Sequence, residues 1–185
     1  MIVGLENSFG HYHGAGVKLG LNLLQLRQSD RVVFYDGLKN LPKLFEEDLE
    51  DEELVKTIFS DIKKSVRDNT LIIVDQVSIL TSLGVGAKYV YLLCHYLSLL
   101  INSFNNSQLV IRMFDSSDGQ SQLVNLVSSL SSSHVSVRGL ETGESRDVSG
   151  VLLISTPDTD TKILQFKILD KDVKVFAPGT SSAVL

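Results

Sequence analysis

The chain has 185 residues, 43% hydrophobic and 21% charged, with a formal net charge of −5, the make-up of one ordinary globular domain long enough to bury a core. That balance excludes a globally basic nucleic-acid binder, so any RNA contact must be local. Cys94 is the sole cysteine, which rules out an internal disulfide and fits a reducing compartment, and the longest apolar stretch, residues 89–101, is shorter than the about 20 residues a helix needs to cross a bilayer, so no membrane partner is expected.

Taken in chain order, "MIVGLEN" reads as a strand that starts abruptly, with no signal peptide in front of it. "SFGHYHGAGVKLGLNLLQLRQSD" is a glycine-interrupted region of short helices, and "RVVFYDG" is a second strand closed by a turn at Asp36-Gly37. The acidic run "LFEEDLEDEE" reads as a solvated loop or helix lead-in. It feeds a helix over residues 52–67, on which Leu54, Val55, Ile58, Phe59, Ile62 and Val66 form one apolar stripe; the acids precede it and Lys63, Lys64 and Arg67 close it, as the helix dipole prefers.

"TLIIVDQ" is a buried strand, followed by "TSLGVGA" and a helix over residues 88–104 that is apolar nearly all round, which implies burial on more than one side. "QLVIRMFD" is the next strand, "SSDGQSQ" a lead-in, and residues 123–130 a short helix. "HVSVRGL" and "GVLLIST" are strands around the polar turn "ETGESRDVSG", and "KILQFKILDKDVKVFAPG" is a hairpin turning at Asp170-Lys171-Asp172. Strands alternating with helices, then strands alone, predict an α/β fold with a mostly parallel sheet and an antiparallel C-terminal extension, organised as a single domain over residues 1–185.

Asp75 carries the first functional question. A carboxylate at the end of a buried strand is where P-loop NTPases hold Mg²⁺, and its partner should be a glycine-rich loop ending in Gly-Lys-Ser/Thr. No glycine meets that spacing: Gly10 is followed by Ala15 at the second glycine position, Gly14 by Leu19 and Gly84 by Tyr89. "GAGVKLG" and "GVGAK", with Lys18 and Lys88, therefore read as small residues that permit close helix packing. Asp75 is left as a Walker-B-like residue without a phosphate loop, either a polar residue where a strand leaves the core or a vestigial Mg²⁺ ligand.

Other chemistry is sparse. His11, His13, Cys94 and His95 lack the paired spacings of a zinc site, so no metal is expected, and His11 and His13 read as part of a packed or exposed turn. No Gly-x-Ser-x-Gly elbow occurs. The charged cluster Arg138, Glu144, Arg146 and Asp147 sits beside a loop and is free either to meet a partner or to close on itself in salt bridges.

The segments "SFGHYHGAGVKLG", "GLKNL", "VDQVSILTSLGVGA", "GLETGESRDVSG" and "VKVFAPGTSSAVL", in this order and spacing, resemble the family of the sixth subunit of the eukaryotic Elongator complex, from the first residues to the last. "LGLNLLQLRQSDRVVFYDGL" is also similar to RecA-like ATPases such as the KaiC family. The resemblance implies a RecA-like domain without a P-loop, lacking the first strand and helix of the family fold. It implies a pseudo-ATPase scaffold with no catalytic residue and no cofactor, placed with the fourth and fifth subunits in a heterohexameric ring that docks on the catalytic subcomplex. That ring would assist tRNA binding for wobble uridine modification, in cytoplasm and nucleus. Arg138 and Arg146 are then candidates for an accessory tRNA contact, with Glu141, Glu144 and Asp147 weakening it. An autonomous or ring-dependent NTPase using Asp75 is the alternative.

Overall fold

The computed structural model describes residues 1–114, 122–140, 143, 145–157 and 159–179. Its described residues fall into two compact units, Met1–Val17 with Leu21–Leu130, and Lys18–Gly20 with Ser131–Leu185. In the first unit the order is β1 (Ile2–Gly4), α1 (Phe9–Lys18), α2 (Leu23–Gln28), β2 (Phe34–Asp36), α3 (Gly37–Glu46), α4 (Asp51–Lys63), β3 (Leu71–Asp75), α5 (Ile79–Ser82), α6 (Ala87–Asn102), β4 (Gln108–Ile111) and α7 (Gln122–Ser128). The second unit holds β5 (His134–Arg138), β6 (Gly150–Thr156), β7 (Thr159–Ile168) and β8 (Val173–Phe176).

The first unit is built on a parallel sheet in the order β2-β1-β3-β4. Parallel strands are joined by crossovers that cover the sheet, and strands so buried read as unbroken apolar runs, which is why "LIIVD" shows no alternation. Val3, Leu5, Ile72 and Val74 are buried in one cluster with Leu54, Ile58 and Ile62 of α4 and with Val90, Leu93, Cys94 and Leu97 of α6. Each such fully buried aliphatic side chain contributes roughly 1.5–3 kcal/mol.

The α4 stripe packs as its spacing predicts, but the helix ends at Lys63 instead of continuing to residue 67. Asn69, at φ 61, takes the chain into the left-handed region, and the Arg67 guanidinium donates to the Asp30 carbonyl at 2.9 Å. On α6 the buried residues recur on one side, while Tyr96 and Leu99 on the other are 41% and 52% exposed. Part of its apolar surface is therefore open in this chain.

Asp36-Gly37 is a strand-to-helix junction and not a closing turn. The Asp36 carboxylate accepts from the Lys39 N–H at 3.2 Å as the cap of α3, and this helix takes in Phe45 and Glu46 from the acidic run. Pro42 inside α3 argues against a helix locally. What holds the helix is its place against β1: a Cβ at position 37 would lie 2.6 Å from the Gly4 carbonyl oxygen, so only glycine permits this approach. Asp51, from the same acidic run, accepts from the Gly86 N–H at 2.9 Å and so ties the start of α4 to the start of α6.

The second unit is an antiparallel sheet in the order β5-β6-β7-β8. The β7–β8 hairpin turns at Asp170-Lys171-Asp172, where the Leu169 N–H donates to the Asp172 carbonyl at 2.8 Å. Residues directly opposite in such a ladder share a face. The rows Val137–Leu152–Leu164 and Val135–Ile154–Lys162 therefore lie on one side with Ile168 and Val173, and the rows Ser136–Leu153–Ile163, Arg138–Val151–Gln165–Phe176 and Lys167–Lys174 on the other.

Candidate functional site

Strand β3 delivers Asp75 to the end of the parallel sheet, in register with Gly4 of β1, which in turn pairs with Asp36 of β2. Gly4 is required where the chain leaves β1, because a Cβ there would stand 2.7 Å from the Phe34 ring and 2.9 Å from the Asn7 carbonyl oxygen. The chain then turns through Asn7 into α1, whose first turns place Phe9 and Tyr12 against Phe34. On the other side Arg112 continues β4, its N–H donating to the Val74 carbonyl at 2.9 Å.

Three side chains converge on the Asp75 carboxylate. The Arg112 guanidinium donates to Oδ1 at 2.5 Å. The Tyr12 hydroxyl donates to Oδ2, and the Asn7 amide donates to the same oxygen at 3.4 Å. Glu6 adds a looser ion pair to Arg112 at 3.6 Å. Asp75 is the one buried polar or charged residue among those described, and a carboxylate survives in such a place only when paired and hydrogen-bonded.

The electrostatics follow from this geometry. Burial alone would push the Asp75 carboxyl up, but the hydrogen bonds from Tyr12, Arg112 and Asn7 and the charge of Arg112 outweigh it and hold the group below the ordinary carboxylate range. Tyr12 moves the other way, raised by burial first and then by its bond to the Asp75 carboxylate and the negative charge there. Arg112 is raised by its hydrogen bond to Asp75. The arrangement is an ionic clasp that holds the exit of β1, helix α1 and the end of β4 onto β3. Both oxygens accept from donors, and one of these is a permanent cation whose charge opposes a second cation beside it.

The sequence singles out Asp75 but not Tyr12, Asn7, Arg112 or Glu6. One signal was available: "LIIVD" and "QLVIR" are two apolar strands that end in opposite charges, which become neighbours if the strands pair in parallel. His11 and His13 lie in α1, not in a turn; His11 is exposed and His13 stacks on Phe9 at 6.2 Å. Cys94 is buried in α6 and its thiol is pushed up to about 12 by burial, while His95 stacks on Tyr91. Among the described residues no three His, Cys, Asp or Glu side chains gather in a metal-binding cluster. Of the glycines in "GAGVKLG", Gly16 is closely packed, with a Cβ there 3.0 Å from the Leu21 carbonyl oxygen, whereas Gly14 faces open space.

Arg138 and Arg146 lie in the second unit and are both exposed. Arg138 is a strand residue whose Nε donates to Ser136 Oγ at 3.1 Å. Arg146 lies in the β5–β6 connection, where its carbonyl accepts from Lys167 Nζ at 2.5 Å. The described acid of that turn, Asp147, pairs with Lys167 at 3.8 Å and not with either arginine. Glu141 and Glu144, like "SSDGQSQ", lie outside the described residues.

A parallel sheet flanked by helices, a separate antiparallel sheet, and a central strand that ends in a buried carboxylate define a RecA-like fold. A KaiC-like protein from the hyperthermophilic archaeon Pyrococcus horikoshii OT3 superposes with a TM-score of 0.59 over 95% of this chain and 75% of its own, at 10% identity. The chain belongs to the Elongation complex protein 6 family, whose model matches residues 1–170. Elongator complex protein 6 of Homo sapiens is 31% identical over 215 residues, covering 99% of this chain and 81% of that protein. The Danio rerio protein of that name is 30% identical with the same coverage, and the Drosophila melanogaster one is 28% identical, covering 97% and 78%. Family membership makes this chain a subunit of the Elongator complex.

Proposed function

We propose that the chain is a non-catalytic, RecA-like subunit of a heterohexameric ring formed with the fourth and fifth Elongator subunits, and that the ring assists tRNA binding for wobble uridine modification. The observation that carries the non-catalytic part is the closure of Asp75 by Arg112, Tyr12 and Asn7. Mg²⁺ at such a strand end needs carboxylate or water oxygens at about 2.0–2.1 Å in near-octahedral array, and the Arg112 guanidinium already bound to the carboxylate opposes a second cation there. Residues 1–185 also contain no lysine-tipped phosphate loop of the P-loop NTPase kind. Exposed apolar side chains on α6, Tyr96 and Leu99, support the subunit role, since contiguous apolar surface marks contact sites. A cytoplasmic and nuclear location belongs to the same reading.

The test is co-expression of this chain with the fourth and fifth subunits, followed by measurement of assembly, tRNA binding and ATP hydrolysis. A ring that assembles and binds tRNA, with a hydrolysis rate unchanged by Asp75→Ala in this chain, is the expected result. The isolated chain should show no rise in Tm with millimolar Mg-ATP, because only ligands that bind the native state raise it. A rise abolished by Asp75→Ala would make the chain an NTPase.

A further inference from the structure

We draw no further inference here: the strongest candidate, the exposed apolar face of α6 at Tyr96 and Leu99, beside Phe59 of α4, carries nothing beyond the subunit reading above, because nothing in the structure shows what covers it.

Discussion

Arg112 and Asp75, at the ends of adjacent parallel strands, form an ion pair of 2.5 Å whose carboxylate side chain is 8% exposed and whose guanidinium side chain is 56% exposed. The asymmetry decides its energetics. The carboxylate has lost its water and depends on its partners, whereas the guanidinium keeps part of its hydration and would lose little by being released. Removing either residue alone should therefore have unequal consequences.

Arg112→Met should destabilise the chain by about 2 kcal/mol, less than the loss of a fully buried pair, because half of this one is wet. Adding Asp75→Asn should recover much of that loss, since a neutral amide tolerates burial with Tyr12 and Asn7 as partners. Urea denaturation of the two single variants, the double variant and the parent closes the cycle. Additive effects would mean that the two side chains do not interact.

The pH dependence follows from the depressed Asp75 value. In the unfolded chain this carboxyl titrates near about 3.9. With its folded value lower, the stabilisation is complete above the unfolded value and disappears as pH falls through the folded one. Tyr12→Phe removes one of the donors that lower the value. It should cost about 1–2 kcal/mol at neutral pH, and that cost should shrink as acid protonates Asp75. Denaturation midpoints of parent and variant from about pH 7 down to about pH 2 measure it; a gap constant across that range would place the tyrosine outside the clasp.

Two glycines should respond in opposite directions. Gly37→Ala puts a Cβ 2.6 Å from the Gly4 carbonyl oxygen and 2.9 Å from Leu5 Cα, where backbone must shift, and should cost about 1–3 kcal/mol. Gly14→Ala, inside α1 with nothing within 4 Å, should stabilise by up to about 1 kcal/mol, because alanine loses less backbone freedom in a helix. Thermal melts of both variants check the contrast.

Arg146→Glu in the assembled ring should weaken tRNA binding by about 1 kcal/mol and lower the salt slope by about one phosphate contact. Arg146 is exposed, and among the described residues the acid of its turn pairs with Lys167 instead; on the tRNA-contact reading its guanidinium meets phosphate. Titrations of intact variant ring with tRNA at two salt concentrations give both quantities. Unchanged affinity and slope would assign the turn a structural role.

By itself the sequence determined the elements whose signal is local. "LIIVD" reads as a buried strand, Leu54, Val55, Ile58 and Ile62 as one helix face, and "KILQFKILDKDVKVF" as a hairpin, because side-chain periodicity is set by the backbone geometry of each element alone. It also carried the resemblance to the sixth Elongator subunit. Only the tertiary structure decided what Asp75 does. Its partners Tyr12 and Arg112 stand 63 and 37 residues away in the chain; nothing near Tyr12 marks it, and the charge that ends "QLVIR" names no partner until the strand order is known. Strand order brings them together: β3 lies between β1 and β4, so the exit of one neighbour and the end of the other must flank the carboxylate. Helix α3 was hidden for the same reason, since Pro42 opposes it locally and the packing of Gly37 on the backbone of β1 holds it.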